Sequence, residues 1–204
     1  ADGLKLASQF VPAKAKLPEV KPGSLNATEH VREGQGNMVY IQSKFAPYKD
    51  WKAFTAGRMF SRFLGNQFSV DLRTEKQLGS AVQAGLSVED EYLEFIFLVL
   101  TQKGTDEVTG IMEDWILNQA LQKFEALSDE RFEQIRQSHI FELNNFPKTM
   151  EEKSKVVAGW IDSDVNPDHV QERLEWAKKL TKKEILDLLK PAFSADQRRW
   201  QTIK

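Results

Sequence analysis

The stretch WKAFTAGRMFSRFLGNQFSVDLRTEKQLG, residues 51–79, decides how the rest of the chain is interpreted. Small and aromatic side chains recur in it at spacings of three and four, the period of one helix face. These positions are Ala53, Ala56, Gly57, Phe60, Phe63, Leu64 and Phe68. The pattern predicts a long amphipathic helix that begins near Tyr48 or Asp50 and packs on a sheet. Helical character is expected to continue through residues 72–77, with Gly79 taking a positive φ angle beyond the helix end.

Strands are predicted on both sides of this helix. Before it, residues 38–43 form an apolar, β-prone run. After it, residues 81–88 alternate loosely, and a short polar turn separates them from the apolar run 92–101. Such a short turn pairs two strands in antiparallel fashion. The few polar positions in residues 92–101 predict a central strand with both faces mostly covered.

The second half of the chain is predicted to be helical, with one closing strand. Helices are expected at residues 105–126, 128–143, 150–161, 168–180 and 181–189, and a strand at residues 199–203. The order of strand, helix, two strands and then helices predicts a single α+β domain over residues 37–204. Its sheet is expected to be mainly antiparallel, with helices packed on one face. Residues 1–36 contain three closely spaced prolines and are predicted to form an extended lead-in or linker.

Composition and charge exclude several classes of partner. The 204 residues carry a formal net charge of -2, which gives no electrostatic reason to expect nucleic acid or acidic lipid. The longest apolar run, residues 95–100, is far shorter than the roughly 20 residues that span a bilayer. The absence of cysteine excludes disulfides and thiolate metal sites. The first residues lack a secretory signal pattern, and a start without methionine favours a piece of a longer or processed protein.

The sequence contains no recognisable metal or nucleophile motif. A hydrolytic zinc site needs converging ligands, with two of them usually on one helix face. His30, His139 and His169 are far apart, and neither H-E-x-x-H nor H-x-x-E-H occurs. Each histidine is therefore expected to be a surface or half-buried side chain, and no cofactor is expected in this chain. P-loop, G-x-G-x-x-G and G-x-S-x-G patterns are also absent.

Residues 72–79, LRTEKQLG, closely resemble the LRTxxQLGY signature of insulinase/pitrilysin-type zinc peptidases. The predicted order of elements around them agrees with that family. In its members the signature lies in the later half of a long polypeptide, whereas the zinc ligands lie in the first half. The resemblance implies a C-terminal-half domain without the zinc motif, with the metallopeptidase fold of the LuxS/MPP-like type. It also implies zinc in the first half of the parent protein.

The resemblance further implies roles for Arg73 and Ser80. Family members look like clamshells of two halves, and the signature faces the zinc helix across the substrate chamber. Arg73 would then contact the peptide near the scissile bond, where a guanidinium can bind a carbonyl oxygen or a developing oxyanion. The family has a tyrosine where this chain has Ser80, and a serine hydroxyl does not reach as far. Peptidases associated with pyrroloquinoline quinone and non-catalytic subunits therefore both stay open.

Three hypotheses follow. In the first, the chain is a domain of a zinc metalloendopeptidase that helps close the chamber and contacts the peptide, and it is inactive alone. In the second, it is a non-catalytic structural or interaction subunit of the same fold, paired with an active zinc-bearing partner. In the third, it is an unrelated helical binding module. The compartment is left open, with a leaning to the bacterial periplasm that rests on the resemblance alone.

Overall fold

The computed structural model describes residues 23–27, 36–89, 91–145, 149–162, 166, 168–196 and 199–203. In these residues one sheet contains β1 (Gly23–Ala27), β2 (Asn37–Pro47), β3 (Ala81–Glu89), β4 (Tyr92–Thr101) and β5 (Arg199–Ile203). The order across the sheet is β1-β5-β2-β4-β3. All neighbouring pairs are antiparallel except β1 and β5, which are parallel. The sheet is therefore mainly antiparallel, as expected.

The helices of the described residues follow the predicted order. They are α1 (Trp51–Ser69), α2 (Thr105–Asp114), α3 (Ala120–Glu125), α4 (Asp129–Asn144), α5 (Met150–Asp162), α6 (His169–Lys179) and α7 (Lys182–Leu189). A π-helical segment, Val70–Glu75, extends α1, and a second one, Trp115–Gln119, joins α2 to α3. A short 3-10 turn, Lys190–Phe193, follows α7. The predicted α+β class is confirmed.

Side-chain caps explain where several helices begin. The Asp50 carboxylate accepts a hydrogen bond from Ala53 N at 2.9 Å, which satisfies one of the free N–H groups at the start of α1. Thr181 and Glu184 form a reciprocal capping box at the start of α7. The helix start predicted near Thr105 is found, but Gly104 rather than a polar side chain occupies the capping position.

The core lies between α1 and one face of the sheet. Val39 and Ile41 of β2 and Phe95 and Phe97 of β4 are fully buried there, at alternate positions along each strand. Helix α1 approaches the sheet closely, because a Cβ atom on Gly65 would lie 2.9 Å from the Ala84 carbonyl oxygen. Buried aromatic rings fill the remaining space at centroid distances of 5.0–5.6 Å. They include Phe60, Phe68, Phe95, Phe97, Trp115, Phe124 and Phe193.

The other face of β4 is more open than expected. Ile96 and Leu98 are partly exposed on it and Leu100 is 40% exposed. The prediction that both faces of this strand are mostly covered therefore holds fully for the face with Phe95 and Phe97 and in part for the other face, where Glu94 is buried. The helices cover the face that carries Phe95 and Phe97, and the apolar residues between them point to the opposite side.

The ends of the described chain meet in the sheet. Strand β5 pairs with β2 over residues 40–43, so the predicted closing strand is found. Strand β1 falls within residues 1–36, the predicted lead-in, and pairs with β5 along all five of its residues. That part of the segment belongs to the sheet, and the rest lies outside the described residues. The division at residue 36 stays a prediction. No helix of the described residues is long and apolar enough to cross a membrane.

Candidate functional site

Residues 72–79 lie where the long helix α1 ends and the sheet resumes. The chain keeps its helical path after α1 but widens into the π-helical segment Val70–Glu75. Lys76 N donates to Asp71 O at 3.1 Å, one residue further than in an α-helix. Single π-helical turns are frequent at functional sites, and this one carries Arg73.

Asp71 anchors this segment inside the domain. The residue is 3% exposed, and its carboxylate accepts hydrogen bonds from Gln67 Nε2 at 2.8 Å and Trp115 Nε1 at 2.6 Å. Lys123 Nζ lies 2.9 Å from the oxygen that Trp115 binds. Trp115 begins the second π-helical segment and Lys123 lies in α3. One buried carboxylate therefore joins the end of α1 to the helices that follow β4.

The partners of Asp71 keep it ionised. Burial alone would raise the pKa of this carboxyl, because it disfavours the charged form. Hydrogen bonds from Lys123, Trp115 and Gln67, together with the charge of Lys123, outweigh burial and lower the pKa below its usual value. The carboxylate form is thus present at neutral pH and can hold all three donors.

Gln77 and Leu78 end the helical path. Gln77 has a φ angle of 50°, and Leu78 N donates to Leu72 O at 2.9 Å. Leu72 and Leu78 are both buried, so their packing reinforces this hydrogen bond. The prediction that Gly79 takes the positive φ angle is therefore wrong. The helical path has already ended at Lys76, and the reversal falls on the residue directly after it.

Gly79 is needed for close packing instead. A Cβ atom at this position would lie 1.9 Å from Leu100 O, far inside van der Waals contact. The next residue bonds to the same carbonyl, since Ser80 N donates to Leu100 O at 2.9 Å, and pairing of β3 with β4 starts at Ala81. Buried Thr101 completes the junction, because its Oγ1 donates to Leu78 O at 2.5 Å. Only a residue without a side chain lets the two backbones come this close.

A groove of about 280 Å³ lies at this junction. Residues 77–80 line one side and residues 101–103 the other. Ser80 is exposed and belongs to this lining, whereas Arg73 is exposed but does not. Among the described residues, the Arg73 guanidinium takes part in no hydrogen bond or ion pair. The assignment of Arg73 and Ser80 to substrate contacts stays a prediction.

Two residues that shape the site were not predicted from the sequence. Asp71 follows Phe68 by three positions and continues the apolar face of α1, and a carboxylate on a buried face is expected to have partners. That signal could have identified it. Thr101 has no such signal, because its contact with Leu78 depends on how β3 and β4 pair.

The two described histidines are buried. His139 is fully buried, with Nδ1 3.4 Å from Glu142 Oε2, and His169 is 7% exposed, with Nδ1 2.7 Å from Asn166 O. The prediction of surface or half-buried histidines is wrong for both, because they lie where α1, α4 and α6 pack together. His30 lies outside the described residues. Within those residues, no group of three or more His, Cys, Asp or Glu side chains could hold a metal ion.

One family model matches this chain. It is described as PQQ synthase PqqF-like, C-terminal lobe domain 4, and it matches residues 59–158. The matched stretch begins within α1, contains residues 72–79 and ends within α5. No curated protein sequence matches the chain.

Solved structures share the fold at low sequence identity. Pitrilysin superposes with a TM-score of 0.72 and 20% identity, over 90% of this chain and 20% of pitrilysin. A protease from Helicobacter pylori gives a TM-score of 0.72 and 12% identity, over 91% of this chain and 45% of that one. An inactive peptidase domain from Bordetella parapertussis gives a TM-score of 0.66 and 13% identity, over 84% of this chain and 92% of that domain. The chain thus spans a fifth of pitrilysin and less than half of the Helicobacter protease.

The family model and the fold together confirm the resemblance found in residues 72–79. The family model covers the signature residues themselves, and the structural matches extend the shared fold over about nine tenths of the chain. Residues 59–158, just under half of the chain, match the PqqF-like C-terminal-lobe model, and the chain shares its fold with pitrilysin and related zinc proteases.

Proposed function

We propose that this domain helps close the substrate chamber of an insulinase/pitrilysin-type zinc peptidase and contacts the bound peptide through Arg73. Zinc would be held by the first half of the parent polypeptide or by a partner subunit. The observation that carries the proposal is the state of Arg73. Its side chain is exposed and has no partner in the described residues, and it lies on a π-helical segment that the buried Asp71 holds to the domain. An arginine in that state is available to a ligand from outside the domain.

The anchoring of the turn matters for this role. Asp71 holds the π-helical segment through three side chains, and Leu72 and Leu78 are buried on either side of the exposed residues. The backbone of Arg73 is therefore held in place before a ligand arrives, which lowers the entropy cost of binding. A guanidinium is always charged and offers a fixed fork of donors. These properties suit a peptide carbonyl or the oxyanion formed from it.

A second candidate function is a non-catalytic subunit of the same fold. Ser80 favours it, because a serine at the family's tyrosine position offers neither an aromatic ring nor the same reach. The similarity to an inactive peptidase domain, of which this chain covers 92%, also fits a domain that works without its own active site.

Kinetics of the assembled enzyme test the role of Arg73. The chain would be assayed with its zinc-bearing half or partner on a fluorogenic peptide, as wild type, Arg73→Ala, Arg73→Lys and Lys76→Ala. Removing one donor to a developing oxyanion typically costs about 3 kcal/mol, so kcat/KM should fall roughly a hundredfold in Arg73→Ala. Arg73→Lys should retain only part of the wild-type kcat/KM, because lysine lacks the planar set of donors of a guanidinium. Lys76→Ala removes the same charge from the same exposed turn and should leave the rate nearly unchanged.

The two candidate functions predict different results for these variants. An Arg73→Ala enzyme as active as wild type would refute a catalytic contact. Ser80→Tyr should raise kcat/KM if the domain contacts substrate, and should have no effect if it is a non-catalytic subunit. Under either candidate function, the chain alone is expected to cleave no peptide.

A further inference from the structure

Three arginines meet on the helical side of the domain, away from residues 72–79. Arg58 and Arg62 lie one turn apart on α1, and Arg173 lies on α6. The guanidinium of Arg173 is 4.2 Å from the centroid of the Phe54 ring, and that of Arg58 is 5.6 Å from the same centroid. Two like charges therefore lie over one aromatic ring, which attracts each of them.

The cluster contains fewer negative charges than positive ones. Arg62 donates from Nη2 to Glu142 Oε2 and from Nη1 to Ser138 Oγ, the latter at 3.0 Å. Its charge is thus matched by Glu142. His139 lies 3.4 Å from the same carboxylate oxygen, but burial, and next the charge of Arg173, lower its pKa to about 4. His139 is therefore neutral at pH 7 and adds no positive charge to the cluster.

Arg58 and Arg173 form no ion pair with a carboxylate in the described residues, although the charge of Glu142 also acts on Arg173. The Nε atom of Arg173 is buried and has no hydrogen-bond partner there. Burial, and next the nearby charge of Arg58, lower the pKa of Arg173 to about 10. A buried donor without an acceptor is costly, and so is a desolvated charge without a counter-ion. The described chain leaves an excess of positive charge here.

Solvent reaches the cluster through a groove. The groove has a volume of about 260 Å³ and is lined by Arg58, Ser61, Arg62 and Glu142. Because Glu142 already binds Arg62, the guanidinium that remains available in this lining is that of Arg58. The hydroxyl of Ser61 is a further donor in the same lining.

We propose that this groove is a binding site for a small oxyanion, a phosphate or a carboxylate group. Arg58 donates to it directly, and Arg173 supplies the second positive charge behind it. Guanidinium groups suit such ligands because their planar fork matches two oxygen atoms of one anion. The site does not depend on the peptidase function. Arg62 precedes Arg73 by eleven residues, which is roughly 16 Å along the helix axis.

NMR of the arginine Nε–H groups of the chain tests the site. Inorganic phosphate and glutarate would be titrated separately, with sodium chloride keeping the ionic strength constant. At least one of the two anions should give saturable shifts of the Arg58 and Arg173 signals. Arg58→Gln should weaken its binding about tenfold or more, the usual effect of losing a charged hydrogen bond. Arg131→Gln is the matched control, because Arg131 is an exposed arginine of α4 whose side chain hydrogen-bonds only to Gln134 among the described residues.

The source of the anion follows from which probe binds. Saturation by phosphate alone supports a phosphorylated ligand, and saturation by glutarate supports a carboxylate side chain of a peptide or neighbouring protein. Arg173→Met, which keeps an apolar side chain near Phe54, should weaken binding as Arg58→Gln does. If Arg173→Met does not fold, Arg58→Gln decides the matter, because Arg58 is exposed. Shifts that never saturate, or an Arg58→Gln protein that binds as well as Arg131→Gln, would overturn the proposal.

Discussion

Replacing Asp71 by asparagine should destabilise the domain strongly, although the two side chains have the same shape. Asp71 accepts hydrogen bonds from Gln67 and Trp115 and pairs with Lys123, at 2.6–2.9 Å. Asparagine keeps one acceptor oxygen and replaces the other by an NH2 group. At least one donor would then face another donor in a place that water hardly reaches.

The expected cost follows from these contacts. A hydrogen bond to a charged group contributes about 1.5–3 kcal/mol, and a buried donor left without an acceptor costs about 1–3 kcal/mol. Because asparagine retains one of the contacts, we expect Asp71→Asn to lower the free energy of unfolding by about 2–4 kcal/mol. Equilibrium unfolding in urea measures this value. The Trp115 indole N–H signal should also shift, since Asp71 is its hydrogen-bond partner.

The pH dependence gives a second readout with a defined sign. The folded-state pKa of Asp71 lies below the unfolded value of about 3.9, so its charged form stabilises the fold above roughly pH 4. That contribution is lost as the pH falls through the folded-state pKa. The difference in stability between wild type and Asp71→Asn should therefore be constant near neutral pH and shrink in acid.

Asp187→Asn is a matched control for this experiment. Hydrogen bonds from Lys183 and Lys190 lower the pKa of Asp187 to about 2, but its side chain is 43% exposed. Exposed ion pairs contribute little because water and salt screen them. Asp187→Asn should thus change stability much less than Asp71→Asn. If the two variants were equally stable, or Asp71→Asn lay within about 0.5 kcal/mol of wild type, the argument from burial would be refuted.

Two further predictions concern the glycine at the strand junction and the buried histidine. Gly79→Ala should lower the free energy of unfolding by about 3 kcal/mol or more, since its Cβ would overlap Leu100 O. In Gly85→Ala the added Cβ meets nothing within 4 Å, so this control variant should be nearly neutral. Thermal unfolding compares the two variants, and equal melting temperatures would contradict the close approach of Gly79 to Leu100. Because the pKa of His139 is about 4 when folded and about 6.5 when unfolded, its protonation should reduce stability by about 3 kcal/mol as the pH falls from 6.5 to 4. His139→Gln should flatten this part of the stability profile, and an unchanged slope would contradict the pKa assignment.

Local patterns predicted the fold well where the decisive contacts are close in sequence. The period of α1 and the short turn between β3 and β4 both act over a few residues. The position of β1 could not be predicted in this way. Its pairing with β5 joins residues about 176 positions apart, and no local pattern records such a contact.

The candidate site shows the same limit. Residues 72–79 were recognised from their amino-acid sequence alone, but the role of Gly79 depends on Leu100 in the neighbouring strand. The partners of Asp71 come from two later helices. The arginine cluster joins Arg58 to Arg173 across more than half of the chain. Each of these contacts needs the packed structure to become visible.

Cross-linking from position 73 tests the central claim most directly. A photoreactive phenylalanine analogue would replace Arg73 in the complex of the chain with its proposed zinc-bearing half or partner, with zinc removed by a chelator so that bound peptide is not cleaved. The same analogue at Arg131 serves as the control. We predict that a labelled peptide substrate cross-links at position 73 and not at position 131. Peptide that binds this enzyme without cross-linking at position 73 would contradict the proposed contact.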